Sequence, residues 1–480
     1  MRREKLIHFI LNDKDKVIQT PPNRVVLDYL RQEQRLTGTK EGCREGDCGA
    51  CVVLLGNHGK QSVHYQTVCS CLLSVGELAG KHLVTIEGIE QIELNPIQKI
   101  MVDEYATQCG FCAPGFVLAF AGFLLTTNSF DEREAISAVS GNICRCTGYQ
   151  SIKRVAARLC EQFRTAWGSL DKKTDRIQLL IDWGVFPDYF LQIPARLGQL
   201  QRGARVIKHR PTMAAVKMAG GTDLLVQRAE ELRNAEVDWL MERRDLCQIA
   251  IGPQECDIGA TVTITDLFRH SKLNDLFPDL RRALALISSA PIRNRATVGG
   301  NIMNASPIGD LTIWLLSLNA EVQLQEGSDR RRIPLKHFFT AYKTLAVKPS
   351  EIIERIIFPT PEVGRRHHFD KVSKRKHLDI ASVNSAISIL VKDDHIESVG
   401  LSAGGVAPIP LFMQKTCDFL QGAPLNEKTV MDALLIAVSE IFPISDVRGS
   451  ALYKKVLLGQ LIKAHFLALF PNHIHPEGLR

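Results

Sequence analysis

Apolar and polar positions alternate with two different periods along the chain. Near the start, Leu6–Leu11 and Val17–Ile18 are short extended runs separated by the turn-forming Asn12–Asp15. Val25–Leu30 is a helical stretch introduced by Pro21-Pro22-Asn23, and a glycine-punctuated loop, Gly38 to Gly49, leads into strand candidates at Val52–Leu55 and Val84–Ile86. After Asn95-Pro96 the period becomes helical. Phe116, Ala119, Phe120, Phe123 and Leu124 recur on one face behind Pro114, Asp131 and Glu134 have the spacing of a capping box, and Ile152–Phe163 is amphipathic. A polar stretch follows. Beyond it the pattern is mixed, with a strand at Asp257–Thr263, a helix at Asp279–Ile287, strands at Ser385–Val391 and Ile396–Leu401, and helices at Lys428–Glu440 and Ser450–Leu469. These shifts predict an α+β multidomain chain: residues 1–92, an all-helical 93–166, a linker at 167–184, then 185–363 and 364–480.

Composition changes this picture little. The 480 residues are 45% hydrophobic and 23% charged, which suits several globular domains and excludes low-complexity or fibrous architectures. A net charge of +7 over this length is too dilute to point to nucleic acid. The longest apolar run, Phe116 to Leu125, is too short to span a bilayer, and Ile7–Leu11 is too short for an export signal. The expectation is a soluble cytoplasmic protein with no membrane partner.

Cysteine carries the chemistry. Of thirteen cysteines, nine lie between Cys43 and Cys146, a clustering that points to metal or redox work. Cys160, Cys247, Cys256 and Cys417 are scattered singly and read as small buried hydrophobes. Cys43-x4-Cys48-x2-Cys51 sits among Gly42, Gly46 and Gly49, and Cys69 and Cys71 both fall in range as a fourth ligand. This spacing is similar to that of plant-type 2Fe–2S ferredoxins, whose two sulfide-bridged irons need four thiolates, three of them from one tight loop. The surrounding strands and helix fit a ferredoxin-like β-grasp domain. The alternative, a zinc site, lacks its usual spacing here. Cys109-x2-Cys112 and Cys144-x-Cys146 form a second group beside helix starts, where positive helix ends suit anionic thiolates. In isolation that group also suits a four-cysteine zinc site.

Context separates the two readings. Gln108–Gly115 (QCGFCAPG) and Gly141–Tyr149 (GNICRCTGY) resemble, almost letter for letter, the second iron–sulfur domain of the xanthine oxidase family, and the resemblance runs along essentially the whole chain. It implies two 2Fe–2S clusters. Cys43, Cys48, Cys51 and Cys71 would hold the first, Cys71 being chosen because the family ligand precedes a leucine, here Leu72. Cys109, Cys112, Cys144 and Cys146 would hold the second in an all-α helical-bundle domain, with Gln108 where the family touches a pterin carried by the neighbouring module.

No strand-linked G-x-G-x-x-G is present, so a Rossmann site is disfavoured. Two glycine loops stand in its place, Ala219–Leu224 (AGGTDL) and Ile292–Ile302 (IRNRATVGGNI), which by proximity in space could offer backbone N–H groups to a pyrophosphate. In this order they resemble the family's vanillyl-alcohol-oxidase-type FAD domain. The resemblance implies FAD contacts at Gly220, Gly221, Thr222, Asp223 and Leu224, at Thr297, Val298, Gly299, Gly300 and Asn301, and at Asp310 and Lys371. It also implies an α/β C-terminal flavoprotein domain containing Ser445–Ser450. Two departures concern the flavin: Ile287 stands where mammalian members have an aromatic, and Lys376-His377-Leu378 where they carry acidic residues, leaving Asp379 before Ile380. The family implies an oxidoreductase electron-transfer subunit with NAD as acceptor. Its partner would be a large subunit carrying molybdopterin, in a dimer of heterodimers.

Two further features read as solvated: the histidines at 367, 368, 377, 473 and 475, which share no ligand spacing, and Arg330-Arg331-Arg332, placed on a turn. No Ser/His/Asp or Cys/His nucleophile arrangement is evident, so no catalytic acid, base or nucleophile is expected.

Overall fold

The computed structural model describes residues 5–59, 62–168, 175–203, 212, 214–375 and 377–479. The chain divides into two compact units. The first comprises residues 1–216, 221–238 and 289–295, and the second residues 217–220, 239–288 and 296–480.

The first unit opens with a five-stranded sheet built from β1 (Lys5–Leu11), β2 (Lys14–Thr20), β3 (Val52–His58), β4 (Val63–Cys69) and β5 (His82–Val84). Its order is β2-β1-β5-β3-β4, with β1 and β5 parallel and the other pairs antiparallel. This is the β-grasp arrangement expected, with one strand more than the sequence pattern shows. β4 alternates buried Val63 and Tyr65 with exposed His64, but ends in the buried run Thr67–Cys69, which hides its period. Phe9, Tyr29, Leu30, Val53, Leu55 and Val68 fill the core beneath. Four helices follow, Pro96–Asp103, Ala113–Thr126, Glu132–Ala138 and Gln150–Gly168. Ala113–Thr126 is buried nearly all round and packs on β3 and β4, as a helix without a polar face must. Asp131 caps the third helix by accepting from the Arg133 and Glu134 N–H groups, but Glu134 turns to Ser129 instead of completing a reciprocal box.

The span expected to be a linker is largely helical. Gln150–Gly168 runs into it, residues 169–174 lie outside the described residues, and Arg176–Asp182 is a helix whose N-cap is Asp175. Arg176 explains the ordering: its guanidinium lies 4.2 Å over the Trp167 ring and donates to the Leu124 carbonyl at 3.0 Å. Its polar appearance in sequence conceals side-chain to backbone bonds that no periodicity reveals. Residues 185–203 likewise belong to the first unit. Phe190 packs on Tyr65 and His82, Tyr189 donates to the Gly88 carbonyl at 2.8 Å, and Arg196 pairs with Asp13. Buried His82, held between Tyr65 Oη (2.7 Å) and the Asn12 carbonyl (2.9 Å), is kept neutral by burial, with its pKa lowered to about 3.

The second unit contains a five-stranded antiparallel sheet in the order Asp329–Pro334, Glu321–Glu326, Ile352–Pro359, Glu255–Gly259, Ile249–Ile251. A four-stranded antiparallel sheet follows, running Arg366–Val372, Val383–Lys392, His395–Gly404, Leu411–Phe412. The apolar helix Asp310–Ser317 packs on the second sheet so closely that a Cβ at Gly400 would lie 2.2 Å from the Ser317 carbonyl. Helices Glu427–Ser439 and Ala451–Leu469 complete it. Arg330–Arg332 are on an edge strand, not a turn, and are paired. Arg330 and Arg331 form two-point ion pairs with Glu354 and Glu351, the latter's carboxyl held down at about 2 chiefly by Arg331. These arginines are exposed, as expected, whereas His367 and His368 are half-buried. His367 packs edge-on to Phe277, and His368 Nδ1 lies 2.7 Å from Nδ1 of fully buried His465. Among the scattered cysteines, Cys160, Cys256 and Cys417 are buried as expected, whereas Cys247 is exposed. Among the described residues, no helix is long and apolar enough to cross a membrane.

Candidate redox centres

The first cysteine loop folds as its glycines require. Gly46 and Gly49 adopt φ of +80° and +68°, and a Cβ at Gly42 would sit 2.7 Å from Cys48 Sγ. The loop brings its thiols together in pairs. Cys43 and Cys48 are hydrogen-bonded to each other, and the Cys51 and Cys71 sulfurs are 3.3 Å apart. Cys43 Sγ also accepts from the Glu45 and Asp47 N–H groups at 3.3 and 3.2 Å. The Cys48 contact and these amides draw its thiol down to about 6 despite burial. Cys51 is lowered as well, by its neighbours Cys69 and Cys71. Cys69, on the last residue of β4, is buried with its sulfur 3.9 Å from the Gly46 carbonyl.

The second group pairs in the same way. Cys109 and Cys146 sulfurs are 3.6 Å apart, and Cys112 and Cys144 are hydrogen-bonded. Cys112 is the N-cap residue of Ala113–Thr126, with its thiol pushed up to about 12 mainly by burial. Thr147 Oγ1 donates to Cys144 Sγ at 3.2 Å, and the Cys144 N–H donates to Tyr149 Oη at 3.1 Å. Gln108 donates to the Cys146 carbonyl at 3.2 Å. Cys109 and Cys146 are exposed and are ringed in sequence by exposed Phe111, Ile143 and Tyr149.

Pairing tests the kind of metal centre. Among the described residues no three His, Cys, Asp or Glu side chains converge as the ligands of a single ion. The second site offers two pairs of thiols, and the first offers the pair Cys43–Cys48 beside Cys51 with Cys69 and Cys71, enough donors for a binuclear cluster in which each iron takes two thiolates.

The two loops are joined directly. The Cys48 carbonyl accepts from the Ile143 N–H at 3.0 Å, and the Gly49 carbonyl from Asn142 Nδ2 at 3.0 Å. A Cβ at Gly115 would come within 2.2 Å of the Gly49 carbonyl, and one at Gly49 within 2.6 Å of Asn142. Asn142 thus has a bridging role that its place inside the GNICRCTGY motif concealed.

The flavin-region residues fall in both units: Gly221–Leu224 in the first, Gly220 and Thr297–Asn301 in the second. Gly221 takes φ of +75° and leads into the short helix Leu224–Gln227. In the second unit Thr297 caps Val298–Met303 by accepting from Gly300 N–H at 3.1 Å. The expected role of this loop as a nest of N–H donors is not what the backbone shows. Val298 and Gly299 donate to the Val262 and Ala260 carbonyls and Asn301 to the Thr297 carbonyl, so the loop's donors are spent on its own packing. Gly299 is required because its Cβ would lie 2.8 Å from the Ala260 Cβ. Asp310 and Lys371 are brought together as a buried pair at 2.8 Å. Lys371 Nζ also donates to the Leu286 and Asp379 carbonyls at 2.7 and 3.0 Å, so its three protons have protein acceptors. Asn384, which no sequence signal marked, donates to the other Asp310 oxygen at 2.5 Å. Burial raises the Asp310 carboxyl against the pull of Lys371. Ile287 is buried next to Leu286, and Leu378 takes φ of +48°, whereas Lys376 lies outside the described residues.

Comparison with known proteins agrees with this order of centres. Residues 9–75 match the 2Fe-2S iron-sulfur cluster binding domain, 85–157 a further 2Fe-2S binding domain, 191–361 the FAD binding domain in molybdopterin dehydrogenase, and 368–469 the CO dehydrogenase flavoprotein C-terminal domain. The class is therefore an iron–sulfur flavoprotein with two 2Fe–2S domains and an FAD domain. These domains match the small iron–sulfur/FAD subunit of the xanthine oxidase, or molybdenum hydroxylase, family. It is 28% identical to xanthine dehydrogenase 1 of Arabidopsis thaliana over 88% of this chain and 36% of that one. Identity to xanthine dehydrogenase of Emericella nidulans is also 28%, over 94% and 38%. The chain thus spans well under half the length of these relatives. Carbon monoxide dehydrogenase from Hydrogenophaga pseudoflava shares the fold over 53% of this chain and 89% of its own, with a TM-score of 0.50 and 24% identity.

Proposed function

We propose that this chain is the cytoplasmic electron-transfer subunit of a xanthine dehydrogenase, working with a separate molybdopterin-bearing subunit that oxidises hypoxanthine and xanthine to urate. Cys109, Cys112, Cys144 and Cys146 hold the cluster that receives electrons, and Cys43, Cys48, Cys51 and Cys71 hold the next. The FAD domain holds the flavin, with NAD as final acceptor. When bound, the clusters supply one-electron carriers and FAD the two-electron exit. The chain's own residues fix the relay. The Cys48 carbonyl to Ile143 N–H bond locks the two cysteine loops in register, and the amides of Glu45 and Asp47 and the hydroxyl of Thr147 stabilise thiolate charge.

The observation that carries this reading is the gathering of the eight proposed ligands into two thiol clusters whose loops are hydrogen-bonded to each other. A visible spectrum of the anaerobically purified chain, with iron, zinc and extracted flavin measured on the same sample, tests it. The expected result is about four irons and one FAD per chain, with bands that bleach on adding NADH. Zinc in place of iron, with no flavin, overturns it. Four irons and FAD without bleaching keep the relay and remove NAD as acceptor. Aldehyde oxidase 2 of Macaca fascicularis, 26% identical over 97% of this chain, supports a second reading in which the partner's substrate is an aldehyde or N-heterocycle. A substrate panel on the co-purified complex separates the two.

A further inference from the structure

The first cysteine site holds one thiol more than a binuclear cluster needs. Cys69 closes β4 in extended backbone, with φ of −81° and ψ of 114°, and Ser70–Leu72 follow as one turn of 3-10 helix. Ser70 is fastened twice to the Cys51 carbonyl, by its N–H at 3.1 Å and its hydroxyl at 2.8 Å. The thiols on either side of Ser70 then both reach the Cys51 sulfur. Cys71 Sγ lies 3.3 Å from it, and Cys69 is hydrogen-bonded to it. All three cysteines are buried. Cys417 shows a buried cysteine that serves packing alone: its sulfur meets the Leu401 backbone, the N–H at 3.2 Å and the carbonyl at 4.0 Å. Cys69 is aimed instead at the loop that carries Cys43, Cys48 and Cys51.

Gly46 tells the two candidate fourth ligands apart. Its N–H donates to the Cys71 sulfur, whereas its carbonyl, 3.9 Å from the Cys69 sulfur, accepts from that thiol. An amide N–H stabilises a thiolate, and a carbonyl oxygen favours the protonated thiol. Cys71 is therefore the resident thiolate, and Cys69 stands beside it with its proton in place. Cys51 belongs to both possible ligand sets, because its sulfur is the one that both thiols meet.

We propose that Cys69 is a reserve ligand of the first cluster, able to replace Cys71 as the thiolate that partners Cys51. The proposal rests on the reading above that this loop holds a 2Fe–2S cluster. In the exchange Cys69 gives up its proton and binds iron, and Cys71 leaves iron and takes that proton up. One iron–sulfur bond breaks, one forms, and no electron moves. Iron in such a cluster is held by four thiolates, and the fifth thiol keeps that number when Cys71 is lost.

The test uses the full chain, purified anaerobically, as Cys71→Ala, Cys71→Ser, Cys69→Ala and the double variant Cys69→Ala/Cys71→Ala. Iron per chain is measured, with electron paramagnetic resonance of the reduced clusters and the resonance Raman iron–sulfur bands. Expected are about four irons per chain in each single variant and about two in the double variant. Cys71→Ala and Cys71→Ser should give the same spectra, shifted from the parent in the first cluster alone, because Cys69 is the ligand in both. A fall to about two irons in Cys71→Ala overturns the proposal, and so do about four in the double variant. Iron lost in Cys69→Ala but kept in Cys71→Ala overturns it as well, since Cys69 is then the resident ligand. If Cys71→Ala does not fold, Cys71→Ser, nearly equal in size to the parent, carries the test, and bands of an oxygen ligand in it overturn the proposal. A parental chain without iron overturns the relay reading itself, and the reserve ligand with it.

Discussion

The two cysteine sites each gather four candidate ligands, the first with Cys69 as a further thiol beside Cys51, yet they meet water differently. In the first, Cys51 and Cys71 are 2% and 4% exposed, closed in by β3, β4 and a loop whose glycines admit no side chains. In the second, Cys109 and Cys146 are exposed and only Cys144 is buried. Burial and hydrogen bonds to sulfur set cluster potentials, so the two sites are not interchangeable. The open site suits a centre exchanging electrons with another protein. The closed site suits one that exchanges them within its own chain.

Removing one ligand from each site gives the largest separation. Cys51→Ser and Cys146→Ser should each lower iron from about four to about two per chain, since each cluster holds two. Only Cys51→Ser should also lower the unfolding temperature strongly, because ligands buried in a core make cluster binding part of folding energy. Iron analysis with thermal unfolding measures both. Equal destabilisation by the two variants would abolish the distinction between closed and open sites.

A pair of glycine substitutions sharpens the contrast without touching a ligand. Gly49 and Gly110 both have positive φ, +68° and +79°. A Cβ at Gly49 would strike Asn142 and the Gly141 carbonyl at 2.6 Å, whereas one at Gly110 would meet nothing within 4 Å. Gly110→Ala should therefore cost about 1 kcal/mol, the backbone penalty alone. Gly49→Ala adds overlap in a packed joint and should cost about 2–4 kcal/mol. Urea unfolding followed by circular dichroism would show it, and equal midpoints would mean that the joint between the loops yields.

The same contrast separates what was legible in the sequence. Cysteine spacing and glycine placement are local, so the candidate ligands could be named, and the structure brings them together in pairs. The helix Ala113–Thr126 and the paired strands Val383–Lys392 and His395–Gly404 were also legible, because each contains a concentrated apolar run that is buried in the structure. What failed to show was long-range pairing of polar groups. Arg176, capping carbonyls of a helix some fifty residues earlier, made an ordered segment look like a linker. Arg331 and Glu351 made an edge strand look like a turn. Lys371 was expected to contact flavin, but its donors go to Asp310 and two carbonyls. Glycines in Thr297–Asn301 promised a phosphate nest, and Gly299 proved instead to make room for Ala260.

The smallest expected effect lies in the open site itself. Tyr149, at φ of +68°, places its hydroxyl oxygen 3.1 Å from the Cys144 N–H, and Thr147 reaches the Cys144 sulfur from the next turn of the same loop. Tyr149→Phe removes the acceptor but leaves the ring. Tyr149 is 40% exposed, so water can take the vacated place, and the cost should stay near 1 kcal/mol or below. A redox titration read by electron paramagnetic resonance should then show a small shift in the second cluster and none in the first. A shift confined to the second cluster means that the hydrogen bond acts locally, through the Cys144 backbone. An equal shift in both would mean that the loops respond as one body through the Ile143 to Cys48 bond, so that the closed site is tuned from the open one.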